Sequence, residues 1–174
     1  MRIALLALLI SACGGGDGPT HWNKQPLETF EGTNDGVTFT IQMPKGMEKS
    51  KVDSKYSVEF GYHQKVNGEG YTFAPSVSVN KSKKKALDEE IKGDSDIKAP
   101  TDVVFKEETA NGWVYAKENS SYKGKEDYIV VGQTNINDTD ALRCHVRVYP
   151  MKKGGKAKDD IPLIAKMCNS LKVK

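Results

Sequence analysis

Between Ala141 and Tyr149 apolar and polar residues alternate, and Arg143, His145 and Arg147 fall on one side together with Tyr149. A guanidinium forks onto a carboxylate or a phosphate, so this row could hold an anionic ligand or an acidic partner. The same residues also suit a sheet face that is solvated, or one covered by a helix bringing Glu and Asp partners across the strands. That plainer arrangement is the simpler expectation, and Arg143, His145 and Arg147 stand beside it as the candidate binding residues. Lys81, Lys83, Lys84 and Lys85 form the densest basic cluster, which near a membrane could attract anionic head groups. Asp88, Glu89 and Glu90 follow at once, and i,i+4 pairs such as Lys85 with Glu89 point to a charged, solvated helix.

Other chemistry is sparse. Asn135, Asn137 and the acids Asp138 and Asp140 space oxygen side chains as the first half of a calcium loop does. The sixth position is Asp140 where such a loop needs glycine, and the twelfth is Val146 where it needs a glutamate, so a polar β-turn is expected. His21, His63 and His145 lack partners at metal-ligand spacing, and Trp22 and Trp113 suit packing better than ligand stacking. There is no G-x-S-x-G, H-E-x-x-H, C-x-x-C or Walker motif, and no G-x-G-x-x-G after a strand. No catalytic residue, metal ligand or cofactor is therefore nominated. A net charge of +3 with both signs interspersed gives no nucleic-acid footprint.

Three cysteines divide into one and two. Arg2, the apolar run Ile3 to Ile10 and the small residues Ser11 and Ala12 read as a secretory signal over residues 1–12. The run is far short of the roughly 20 apolar residues that span a bilayer. Ile10-Ser11-Ala12-Cys13 resembles the bacterial lipobox. That resemblance implies cleavage before Cys13, a diacylglyceryl group on its thiol and acylation of the new amino terminus, palmitate included. Two or more chains hold a protein firmly at a bilayer. Gly14 follows the cysteine in place of the aspartate that retains such proteins at an inner membrane, which implies an outer membrane where the organism has both. Residues 13–28, opening Gly14-Gly15-Gly16-Asp17-Gly18-Pro19, read as a flexible tether. In an exported chain Cys144 and Cys168 meet an oxidising compartment. Cys144 sits on the apolar side of its strand, and Cys168 on a helical stripe with Ile161, Ile164 and Leu171. A bridge would pin the last helix to the sheet; two unpaired buried thiols are the alternative.

Residues 29–174 must position these groups, and the length suits one domain. Strands are expected at Val37 to Met43, Tyr56 to Tyr62 and Tyr71 to Asn80, the last broken or bent at Pro75. Ser82 caps a helix over Lys83 to Lys92, ended by Gly93. Strands follow at Val103 to Thr109, Trp113 to Asn119, Tyr128 to Thr134 and Leu142 to Tyr149. A charged loop then leads to a final helix with Pro162 in its first turn. The order predicts an α+β domain, an antiparallel sheet of about six to seven strands with helices packed on it.

This order, with Met43-Pro44 and Gly46 closing an early strand and the ending Ile164-Ala165-Lys166-Met167-Cys168-Asn169-Ser170-Leu171, resembles the PsbP-like superfamily. The resemblance implies a sheet with helices on its two sides, and proteins that bind or assist more than they catalyse. The function expected is that of a membrane-anchored envelope lipoprotein, a non-enzymatic accessory module with an envelope protein partner. A lipid or small-molecule carrier, or an enzyme with a site assembled from distant residues, are the alternatives.

Overall fold

Phe39, Ile41 and Met43 alternate along the early strand and are wholly buried in the computed structural model, which describes residues 22–50, 54–66, 69–149 and 156–174. Cys13, His21 and the residues expected to form the signal and the first part of the tether lie outside the described residues, as does the side chain of His63. From Trp22 onward the expected tether is folded. Trp22 starts a 3-10 turn, is 4% exposed and belongs to the core. Strand β1 (Leu27–Asn34) follows and pairs antiparallel with β2 (Val37–Pro44), Phe30 opposite Ile41 and Gly32 opposite Phe39. A Cβ on Gly32 would stand 2.5 Å from Phe39 Cζ, so the missing side chain is what admits the ring. Asp35 and Gly36, at φ 47° and 74°, make the two-residue turn of this hairpin.

The chain continues through β3 (Glu48–Lys49), β4 (Val58–Val66) and β5 (Glu69–Lys83), then the short helix α1 (Leu87–Gly93). Strands β6 (Val103–Thr109), β7 (Gly112–Glu118), β8 (Tyr128–Asn135) and β9 (Asp140–Val148) follow, then α2 (Ile161–Asn169) and β10 (Lys172–Val173). Among the described residues ten strands form two antiparallel sheets, β3-β4-β5-β9-β8-β7-β6 and β1-β2-β10. The expected sheet of six to seven strands is thus the larger of two, and the domain is mostly antiparallel β with two short helices. Pro75 does not break β5. The register with β4 shifts there by a bulge, which accommodates a residue without an N–H.

One core joins the layers. The inner face of the large sheet gives Val77, Val79, Val114, Val130, Leu142 and Val146, and β2 and α2 close over it with Ile41, Met43, Ile164 and Met167. Cys144 and Cys168 are bonded, with Cα atoms 5.6 Å apart. Gly132 lies beside the bridge, where a Cβ would come within 2.8 Å of Cys168 Cβ. The bridge ties α2 to β9 as the two apolar stripes predict. No described helix is long and apolar enough to cross a membrane.

The first helix differs from expectation. Lys81, Ser82 and Lys83 continue β5 opposite Leu142, Ala141 and Asp140, so the strand ladder wins over helix propensity until Leu87. Ser82 caps no helix; its Oγ accepts from Arg143 Nε at 3.2 Å. The cluster also pairs otherwise than expected: Lys81 with Asp35, Lys83 with Asp140, and Lys85 with Glu90 at 3.3 Å, not Glu89.

Candidate functional site

Both faces of β7 and β8 are buried, because α2 covers one side of the large sheet and α1 the other. Under α1 lies a second apolar cluster of Leu87, Trp113, Tyr115 and Val131, with Ile91 and Ile97 against it. The outward positions of β9 share this side. Register sets Arg143 between Asn80 and Gln133, His145 between Ser78 and Val131, and Arg147 between Ser76 and Ile129.

Arg143 is held on all sides. Its guanidinium lies 4.5 Å from the centre of the Trp113 ring and donates from Nη2 to Glu90 Oε2 at 3.0 Å. Nη1 stands 3.0 Å from Glu90 Oε1 without hydrogen-bond alignment. The strap into α1 is fastened beside it: Trp113 Nε1 and Gln133 Nε2 both donate to Lys85 O at 2.9 Å, and Lys85 N donates to Gln133 Oε1. Arg147 forks onto Asp127, Nη2 donating to Oδ2 at 2.7 Å, and stacks on Tyr122 and Tyr149. Its bonds to Asp127 hold the guanidinium above its ordinary pKa. The helix and acids that the simpler expectation supplies are therefore in place, and both guanidinium groups are engaged by the fold.

Beside Arg143 a second buried cation, Lys117, was not legible as a site residue. Lys117 Nζ lies 2.5 Å from Asp94 Oδ1 and 2.9 Å from Asp96 Oδ2. Tyr115 donates to Asp94 Oδ2 at 2.8 Å and Ser120 to Asp96 Oδ1 at 3.0 Å. Burial works to raise the Asp94 pKa, but the hydrogen bonds from Lys117, Tyr115 and the Asp96 backbone outweigh it and hold the carboxyl below its ordinary value. Burial works to lower Lys117, and the same two acids keep it above its ordinary value. The Tyr115 hydroxyl is pushed up by burial and by Asp94, so it is a neutral donor.

His145 faces a concavity of about 300 Å³ with Tyr115, Asp94, Glu90 and Arg143. The residue is exposed at the mouth, yet the protein around the ring desolvates it, and this, joined by Lys117 and Arg143, lowers its pKa from 6.5. At pH 7 it is a neutral imidazole able to donate or accept one hydrogen bond. The structure thus brings Arg143 and His145 into one concavity and leaves Arg147 outside it, beside the two tyrosines.

The oxygen-rich loop after β8 closes on itself. Asn137 Oδ1 accepts from Thr139 N, Thr139 Oγ1 and Asp140 N, and Asp140 pairs with Lys83. It is the polar turn expected, and among the described residues no three His, Cys, Asp or Glu side chains converge as metal ligands. Trp113 packs under α1 rather than offering a free ring.

Sequence reading passed over Tyr115, Lys117, Asp94 and Asp96. The available signal was period two along Trp113, Tyr115 and Lys117, three polar-tipped residues on the face opposite Val114 and Ala116. Asp94-Ser95-Asp96 reads in sequence as any polar loop. No protein-family model matches the chain, and no curated protein matches it.

Proposed function

We propose that this chain is a lipid-anchored protein of a bacterial cell envelope, whose domain is a non-enzymatic binding or accessory module. The observation that carries the proposal is the bond between Cys144 and Cys168. It fits an oxidising compartment, and it accounts for two of the three cysteines, leaving Cys13 in the lipobox-like sequence as the odd one. The accessory role is supported by the state of the charged groups on this side of the large sheet. Arg143, Arg147 and Lys117 are each neutralised by carboxylates that also fasten loops and helix, an arrangement suited to holding a surface in shape. We read the fold as related to the PsbP-like superfamily, on the antiparallel sheet flanked by helices on opposite faces and the closing Ser170-Leu171 tail. Gly14 favours an outer membrane where there are two.

Two measurements test this. Cys13→Ala in the full chain should move the protein from the membrane fraction to the soluble fraction, and the N-terminal peptide of the wild type should carry the mass of the acyl groups. An unchanged membrane fraction with an unmodified peptide removes the lipid anchor.

A further inference from the structure

The large sheet ends on β6, and alternate residues of an edge strand turn their backbone N–H and C=O groups away from the sheet. α1 does not cover this edge. Between the two runs a groove of about 490 Å³, lined by Ile91, Ile97 and Val103, which pack on the cluster under α1, and by Val104 and Phe105, which pack on the main core, each half-buried. Lys92, Lys98 and Lys106 stand exposed around it, with Asp88 the single acid in its lining.

Lys81, Lys83, Lys85, Lys117 and Lys123 each have a carboxylate at ion-pair distance, whereas among the described residues the three groove lysines carry no ion pair, a state shared on this side by Lys84 and Lys125. An open strand edge, an apolar floor and unneutralised cations together specify an occupant. An extended peptide pairing with β6 would point alternate side chains into the floor, and acidic residues flanking them would reach the lysines. A lipid surface would meet the lysines but would leave the strand edge unpaired. A second copy of the chain would bring its own Lys92, Lys98 and Lys106 against these.

We propose that the groove between α1 and β6 receives an extended, apolar peptide segment with acidic flanks, added as a strand on β6. This rests on the accessory role proposed above and names the surface that performs it.

The probe is the peptide Asp-Glu-Val-Phe-Val-Glu-Asp, titrated into the full mature chain and followed by fluorescence anisotropy and by backbone amide shifts. Binding should be saturable, with the largest shifts along β6. Lys92→Glu combined with Lys98→Glu, both exposed and with thermal unfolding run alongside to check that the fold is intact, should weaken it at least about tenfold. N-methylation of alternate peptide amides should abolish it. Equal binding of the all-lysine counterpart or of the N-methylated peptide, no binding at all, or shifts confined to another surface would overturn the proposal. So would phosphatidylglycerol vesicles that shift the β6 amides in place of the peptide, or a dimer that forms through β6. A photo-crosslinker placed at Lys106 and separately at Glu59 in the native envelope divides the two claims. A partner captured from Glu59 alone removes the groove and leaves the accessory role. Capture from neither position removes both.

Discussion

Replacing Lys117 with methionine keeps most of the apolar stem and deletes the ammonium. In the folded protein that side chain is 6% exposed, and its partners Asp94 and Asp96 are 14% and 40% exposed. Asp96 can turn to water. Asp94 reaches it less, and keeps the Tyr115 hydroxyl and the Asp96 backbone N–H as donors. Removing one partner of a buried pair costs about 3–5 kcal/mol, and the partial exposure of Asp96 places the loss at the lower end, ~3 kcal/mol at pH 7. For a domain of this size that is a fall of roughly 6–12 °C in Tm. The pH dependence is the sharper signature. In the wild type the Asp94 pKa is depressed, so its contribution is present above the unfolded carboxyl value of about 3.9 and lost as the pH falls through the folded value. Without Lys117 burial dominates, the carboxyl pKa rises, and the cost present at pH 7 is relieved when Asp94 takes up a proton. The deficit should therefore shrink between pH 7 and pH 4, measured by urea unfolding with tryptophan fluorescence. A deficit under ~1 kcal/mol at pH 7, or one of equal size at both pH values, would refute the reasoning.

Replacing Cys144 and Cys168 together with alanine opens a closure of 24 residues and should cost on the order of 3 kcal/mol in the chain-entropy model, read from urea midpoints of the variant against the oxidised protein. Unchanged midpoints would mean the bridge constrains nothing. Gly32→Val should destabilise by about 1–3 kcal/mol through its clash with the Phe39 ring, and Phe39→Leu in the same chain should recover part of the loss. His145 has a lowered pKa, so its neutral form favours the folded state and stability should decline as the pH falls through the unfolded value of about 6.5. His145→Gln should flatten the slope of stability between pH 7 and pH 5, and an unaltered slope counts against a crowded imidazole.

Where apolar periodicity is unbroken, the strands were legible: β2, β7, β8 and β9 lie within a residue or two of where alternation puts them. The same periodicity placed Cys144 and Cys168 on stripes that meet. β1 was hidden because Gly32 occupies an inward position and leaves no apolar side chain to count, although Asp35-Gly36 carries a hairpin signal of its own. The helix expected from Lys83 was overruled by pairing with β9, a contact between residues about 60 positions apart that local propensity does not contain. The candidate site was half legible. Arg143, His145 and Arg147 were placed on one face, but the partners Glu90 and Asp127, and Asp94 beside His145, come from the helix and loops, whose docking no spacing rule gives. The groove beside β6 was not legible at all, because Val103-Val104-Phe105 reads as an ordinary strand start until the sheet order makes it an edge.

A load applied at Trp22 meets the core directly. The indole sits in the core, and Asn23 donates to Asp160 Oδ1 at 2.8 Å, so the first grip is a side chain set like a plug in the body of the protein. Behind it the hairpin pairs Leu27 with Pro44 at its outer end, and β10, the last strand of the chain, grips β2 from the other side. A pull at Trp22 therefore works first against apolar burial and then against a ladder that must open rung by rung, while β6 and α1 lie outside the small sheet that takes the strain. The stretch from Trp22 to Asn34 acts as a mechanical fuse, the part expected to yield first and to leave the far edge of the large sheet in shape.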